Sequence, residues 1–317
     1  MTEKALFFIH AQTGLHPGSG TALGTVDLPV QRERHTNWPV IPASSLKGVL
    51  RDACCEKTRN KYQGNRKKAN EEDINITTVF GPTKIEADTS HAGALAITDA
   101  RILAFPVRSF KGVFAWITCS AVLERLNRDL KFAGIKLVEQ VPHPDKDKAA
   151  CVQGSPLFIE EDKMVPEEVI EKDKMVLEEF EFERSGDAAA VAEWIAEKAV
   201  EDPATRNRIK KHLVVLHDDD FTYFVRHATE VVARIGLDYE RKTVKSGALF
   251  YQEFIPPETI FYSLILAEES RHNGEKRNAA EVLKYVRESI PNVIQIGGDE
   301  TIGKGLCAVR FESGKEA

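Results

Sequence analysis

Residues 14–52, GLHPGSGTALGTVDLPVQRERHTNWPVIPASSLKGVLRD, constrain this chain more than any other stretch. Glycines at Gly14, Gly18, Gly20 and Gly24 free the backbone for positive φ and let it approach a ligand closely, because no Cβ stands between. Pro39 and Pro42 bracket Val40 and Ile41 as an extended segment and hold off a helix until Ser44. Ser44 or Ser45 then suits an N-cap, with Leu46, Leu50, Ala53 and Cys54 at helical spacing behind it. Lys47 and Arg51 fall one turn apart on one face of that helix. Free N–H groups at a helix start, flanked by two cations, make a ready anion site; an ordinary capped amphipathic helix with solvated charges is the alternative.

The rest of the chain alternates strands and helices. Ala5–Gln12 reads as a first strand ending at the Gly14 turn. A charged loop is expected over 59–75, strands over Ala92–Ala100, Arg101–Val107 and Phe114–Cys119, and a helix over 120–132 with Val122, Leu123, Leu126 and Leu130 inward. Residues 140–190 break the pattern with an acidic stretch, in which DKMV occurs at 162–165 and again at 173–176; one echo is too little for a solenoid. Residues 186–217 look helical. From Glu230 to Ile255 the pattern becomes strand alternation around a polar tip, a long β-hairpin with Arg241, Lys242 and Lys245 at its end. A strand at Thr259–Ala267, a helix at Ala279–Ser289 and strands at Val293–Ile296 and Leu306–Phe311 follow. This traffic implies an α+β core of ferredoxin type rather than a doubly wound parallel sheet.

Two glycine loops invite cofactor readings that fail on spacing. GDETIGK at 298–304 matches the first seven positions of a P-loop, but the eighth is Gly305, so the hydroxyl for Mg²⁺ is missing, and LCAVRF beyond it reads as a strand rather than a helix. Gly18, Gly20 and Gly24 miss the dinucleotide spacing by one residue. No nucleotide cofactor is expected. His10 and His16, six apart, have no ligand cluster beside them that would make a zinc site. His16 could face a bound phosphate or serve as a structural histidine.

Charge narrows the partners without deciding them. The net charge of −6 argues against a uniformly basic nucleic-acid binder. Yet 57–68, 206–212 and 241–245 are basic, while 160–183 is strongly acidic, so one face can bind a polyanion and another stay acidic. Five cysteines, with Cys54 and Cys55 adjacent, do not form a disulfide framework. The opening MTEKALFF lacks a signal-peptide pattern, and the apolar runs are too short to span a bilayer. A cytoplasmic protein without a membrane partner is expected.

The 14–52 stretch resembles the N-terminal signature of the RAMP superfamily of CRISPR proteins, and more narrowly the repeated backbone subunits of type III-B (Cmr) effector complexes. The loop GGDETIGKG at 297–305 matches that superfamily's glycine-rich loop between the last two strands. The resemblance implies one RAMP domain over 1–317 with a modified ferredoxin-like (RRM-like) core. The hairpin at about 230–255 would be its thumb, and the acidic stretch at about 140–190 a peripheral insertion.

It further implies copies stacked as a helical filament on a CRISPR guide RNA, together with other Cmr subunits, cutting complementary single-stranded target RNA. Asp27, in GTVDLPVQRE, falls at the family's catalytic aspartate position; a turn cap is the alternative role. His16, Gly18, Gly20, Ser45, Lys47, Arg51, Arg241, Lys242, Gly297, Gly298 and Lys304 are the expected RNA contacts. A free carboxylate titrates near pH of about 4 and is a weak base at neutrality. Asp27 is therefore expected to hold a divalent ion, Mg²⁺ or Mn²⁺, or to position a 2′-hydroxyl. A non-catalytic RNA-binding scaffold is the main rival reading. A guide-processing ribonuclease using metal-free histidine chemistry is the second.

Overall fold

The computed structural model describes residues 2–22, 24–84, 90–159, 174–272, 274 and 276–314. Strand β1 (Glu3–Ala11) is buried without a break from Ala5 to Ala11, so both of its faces are covered. A long loop leads to β2 (Val40–Ile41) and helix α1 (Ala43–Thr58). The serine cap expected for this helix is not used. Pro42 occupies the cap position, and the Ala43 N–H donates to the Asp99 carboxylate at 2.7 Å, leaving Ser44 and Ser45 within the first turn. A carboxylate from a distant loop satisfies the terminal donor that a local hydroxyl was expected to take.

The charged 59–75 stretch, expected as a loop, is mostly helical: a 3-10 turn (Arg59–Tyr62), α2 (Arg66–Glu72) and α3 (Ile74–Phe80). Asn65 accepts from the Lys68 N–H and Asp73 from those of Asn75 and Ile76, so two side-chain caps start helices that composition alone does not suggest. Then come β3 (Leu95–Ile97), β4 (Ala100–Arg108), β5 (Phe114–Cys119) and α4 (Ser120–Ala133), with Val122, Leu123, Leu126 and Leu130 buried. Strands β6 (Lys148–Cys151), β7 (Lys174–Leu177) and β8 (Phe180–Arg184) follow, so described residues of the acidic region supply sheet strands. The first DKMV and most of the acidic run lie outside the described residues.

Helices α5 (Ala189–Ala199) and α6 (Pro203–His212) end sooner than the helical reading of 186–217 implies. LVVL is β9 (Leu213–Leu216), wholly buried and parallel to β5. Its β-branched, apolar run fits a two-sided buried strand, which periodicity cannot tell from a buried helix turn. The chain continues with α7 (Asp218–His227), β10 (Glu230–Leu237), β11 (Val244–Phe254), β12 (Ile260–Ala267), α8 (Ala279–Ser289), β13 (Val293–Gln295) and β14 (Leu306–Glu312). Among the described residues no helix is long and apolar enough to cross a membrane.

β14, β1, β12 and β4 lie side by side with every neighbouring pair antiparallel. With α1 between β1 and β4, and α8 between β12 and β14, this is the β-α-β-β-α-β order of a ferredoxin-like unit. β5, β9, β6, β8 and β7 extend the sheet beyond β4, while β10 and β11 form a separate two-stranded ribbon. Because β14 runs antiparallel beside β1, with Ala11 opposite Cys307, the loop leaving β1 and the loop entering β14 emerge at the same end.

Candidate nucleic-acid interface

The two glycine loops touch. Gln12 N–H donates to the Leu306 carbonyl at 2.7 Å, Gly305 N–H to Gly14 at 2.9 Å and Gly298 N–H to His16 at 3.0 Å. Gly297 has φ +83°, and a Cβ there would overlap the His16 carbonyl, so only glycine permits this approach. The first loop is pinned on its other flank as well, because Leu15 and Ile255 exchange backbone hydrogen bonds at 2.9 and 2.8 Å. Residues 14–18 are thus held between the 296–305 loop and the root of the hairpin.

His16 is buried beneath these loops. Its Nδ1–H donates to the Glu253 carbonyl at 2.7 Å, and its ring lies 5.6 Å from that of Phe254. Nε2 points toward Gly18, where a Cβ would stand 2.8 Å from it. The histidine is a pillar under the turn. Lys304 lies half-buried with Nζ 4.7 Å from the Phe254 ring centre, beside Gly14, so its charge stands where the two loops meet.

Asp27 reaches the same region through a small β-like arm. Gly18 bridges to Val30, Ser19 N–H donates to the Pro29 carbonyl and Gln31 N–H to Pro17, which lays 17–19 against 29–31. The return limb lies along the hairpin root: Leu28 N–H donates to Tyr251 and Glu253 N–H to Leu28, both at 3.0 Å. There the exposed Asp27 accepts the Tyr251 N–H at Oδ2, 2.7 Å away. Buried Glu253 clamps the arm, accepting from Val30 N–H at 2.9 Å, Arg32 at 2.5 Å and Thr229 at 2.8 Å.

The other expected contacts stand apart from this cluster. Lys47 donates to the Leu95 carbonyl at 2.9 Å. Burial first, and the Arg51 charge second, lower its pKa. Arg51 donates from all three guanidinium nitrogens, to the Asn70 side chain and carbonyl and to Gly81, tying α1 to α2 and to the end of α3. Ser45 is exposed in the first turn of α1, and Gly20 is exposed with φ +90°. Arg241 and Lys242 sit at the ribbon tip, where Asp238 accepts the Glu240 and Arg241 N–H groups. Eight residues of strand separate tip from root, about 26 Å, so the tip cations and Lys304 cannot hold the same phosphate.

Among the described residues no three His, Cys, Asp or Glu side chains gather as a metal-holding group. Asp27 offers one carboxylate. Mg²⁺ is commonly held by one or two carboxylates completed by substrate phosphates and water, so the residues present fit such an ion only with RNA in place.

The RAMP superfamily model matches residues 8–308. The chain belongs to the RAMP superfamily. Over 307 residues this RAMP chain is 39% identical to the CRISPR system Cmr endoribonuclease Cmr4 of Pyrococcus furiosus, covering 96% of this chain and 94% of that protein. It is 27% identical over 322 residues to the CRISPR system CMR subunit Cmr4 of Saccharolobus solfataricus, covering 96% and 95%. The crystal structure of oligomeric Cmr4 from P. furiosus superposes with a TM-score of 0.69 and 31% identity, covering 99% of each chain.

Sequence reasoning passed over Arg234, Asp299 and Arg32, all engaged at the hairpin root. Arg234 is a lone cation inside an apolar strand pattern, and that was the available signal.

Proposed function

We propose that this RAMP chain is a guide-RNA-binding backbone subunit of a type III-B CRISPR interference complex, cleaving complementary target RNA at Asp27. The carrying observation is the continuity of the arm bearing Asp27 with the two interlocked glycine loops and the hairpin root. Its likeness across nearly the whole length to a protein named a Cmr endoribonuclease supports the same reading.

Backbone N–H groups and Lys304 at the joined loops suit a phosphodiester chain, which they hold without reading its sequence. Gly18, Gly20, Gly297 and Gly298 allow close approach, and His16 braces the joined loops from below. Ser45 and Lys47 extend the guide track along α1, and Arg51 acts there by holding α2 in place. Arg241 and Lys242 meet RNA farther out. Guide pairing then selects the target.

Cutting beside a 2′-hydroxyl requires that oxygen in line with the departing 5′-oxygen, and neutralisation of the phosphorane charge. Asp27 Oδ2 is engaged by Tyr251 N–H, leaving Oδ1 to accept from the 2′-hydroxyl and orient it. A Mg²⁺ or Mn²⁺ ion, when bound, would be held by Asp27 and RNA oxygens and would supply charge neutralisation. The ribbon, exposed on both sides, is the thumb that a neighbouring copy and RNA cover, as befits a filament. We place the protein in the cytoplasm; its five free, buried cysteines suit a reducing compartment.

The scaffold reading draws on the Asp27–Tyr251 bond, which alone could be a structural cap. Incubating the guide-loaded complex with end-labelled complementary RNA separates the two. Discrete products at regular spacing, lost with EDTA and absent with non-complementary RNA, are expected. Tight binding without cleavage would support the scaffold, and cleavage persisting in EDTA would remove the metal.

A further inference from the structure

Arg234, Gln252 and Asp299 form a closed ring of hydrogen bonds joining the hairpin to the glycine loop. Arg234 Nη1, on β10, donates to Asp299 Oδ1 at 2.8 Å and also to Gln252 Oε1. Gln252 Nε2, on β11, donates to Asp299 Oδ2 at 2.6 Å. Asp299 is left-handed at φ +65°, and its carbonyl accepts the Ile302 and Lys304 N–H groups at 3.1 and 3.2 Å, so it also shapes the loop carrying Lys304.

Position 252 is the critical one. Buried Gln252 is flanked by Tyr251, whose N–H holds Asp27, and by Glu253, whose N–H holds Leu28. Any pivot of the ribbon about its root moves both bonds together. Among the described residues the ribbon pairs with no strand of the main sheet, and two strands alone are marginally stable. Its setting must come from ties at the root.

We propose that this ring is a latch fixing the angle between ribbon and glycine loop, with Asp299 and Arg234 as positioning residues for cleavage at Asp27; this rests on the nuclease reading above. The left-handed backbone does not itself demand a carboxylate, because asparagine accepts that conformation equally well. What aspartate adds is two acceptor oxygens for two donors at once. Asp299→Asn therefore keeps size and backbone while setting an amide N–H against the Gln252 amide. Adding Gln252→Glu restores the ring with donor and acceptor exchanged: the position-299 amide donates to the new carboxylate, and Arg234 keeps both acceptors.

The test reads single-turnover cleavage of complementary RNA by the guide-loaded complex, target affinity, and melting of the free chain. Asp299→Asn is expected to slow cleavage about tenfold or more, as small misplacements do, with target affinity within about threefold of the unaltered complex. The Asp299→Asn/Gln252→Glu pair is expected to recover most of the rate. Full activity in Asp299→Asn, or no recovery in the pair, would overturn the latch. Asp27→Ala is run alongside: loss of cleavage there with full activity in Asp299→Asn defeats the latch alone. Unchanged cleavage in Asp27→Ala defeats the nuclease reading and the latch's role with it.

Discussion

The Tyr251 backbone N–H donates to the Asp27 carboxylate at 2.7 Å, joining residues 224 positions apart. This bond places the Asp27 carboxylate of the family signature at the root of the hairpin rather than free on a loop. It gives Asp27 one fixed oxygen and one available oxygen.

Glu253 holds the arm in register. Its buried carboxylate accepts from Arg32, Val30 and Thr229, and Glu253→Gln replaces one acceptor by a donor facing these groups. A loss of about 2–4 kcal/mol in unfolding free energy is expected, since a buried carboxylate acceptor is lost and the half-buried Arg32 loses its partner. Urea denaturation of the free chain measures it, and a change under about 0.5 kcal/mol, as at ordinary surface sites, would contradict the clamp.

Gly297 and Gly303 separate two effects of glycine. Both have positive φ, but a Cβ at Gly303 meets nothing within 4 Å while one at Gly297 overlaps the His16 carbonyl. Gly303→Ala should cost about 1–2 kcal/mol for the left-handed backbone. Gly297→Ala should cost about 1–3 kcal/mol more for the overlap, and should release co-purifying RNA. Melting curves and the absorbance ratio of the purified complex check both.

Ile235 and Leu249 face each other across the ribbon and are 52% and 54% exposed. Replacing both by threonine keeps a β-branched residue at 235 and puts one at 249, so free-chain stability should move by no more than about 0.5–1 kcal/mol. Assembly on guide RNA, followed by light scattering, should weaken if a neighbouring copy covers them. Unchanged assembly would show that the apolar ribbon is not part of the filament contact.

Asp299 gives a pH signature. Its partial burial acts to raise the pKa, but hydrogen bonds from Arg234 and Gln252, with the Arg234 and His16 charges, hold it below the usual carboxylate value. A depressed folded pKa contributes stability above the unfolded value, lost as pH falls through the folded one. The latch is therefore intact at neutral pH and fails only in acid. Melting temperature measured from pH 6 to pH 2 should fall less for Asp299→Asn than for the unaltered chain in the acid limb.

Much of the core was legible because its signals are local. The apolar stripe Val282, Leu283 and Val286 marks α8, and the alternation from Glu230 with a charged tip marks the ribbon. LVVL was misread because four apolar residues fit either period. The serine cap was misread because its replacement, Asp99, lies 56 residues away. At the site, glycines and Asp27 could be named, but not the partners that fix them. Asp299 meets Arg234 across 65 positions, and His16 meets Glu253 across 237. Such pairings arise only when sheet order brings the chain ends together.

Asp27→Asn is the most direct measurement. The carboxamide keeps an oxygen for the Tyr251 N–H, while it removes the charge and turns the other oxygen, the acceptor for the 2′-hydroxyl, into an N–H donor. In the guide-loaded complex, single-turnover cleavage of complementary RNA should fall at least about 100-fold, with target affinity and particle size unchanged. Cleavage within about threefold of the unaltered complex would contradict the assignment of Asp27 as the cutting residue.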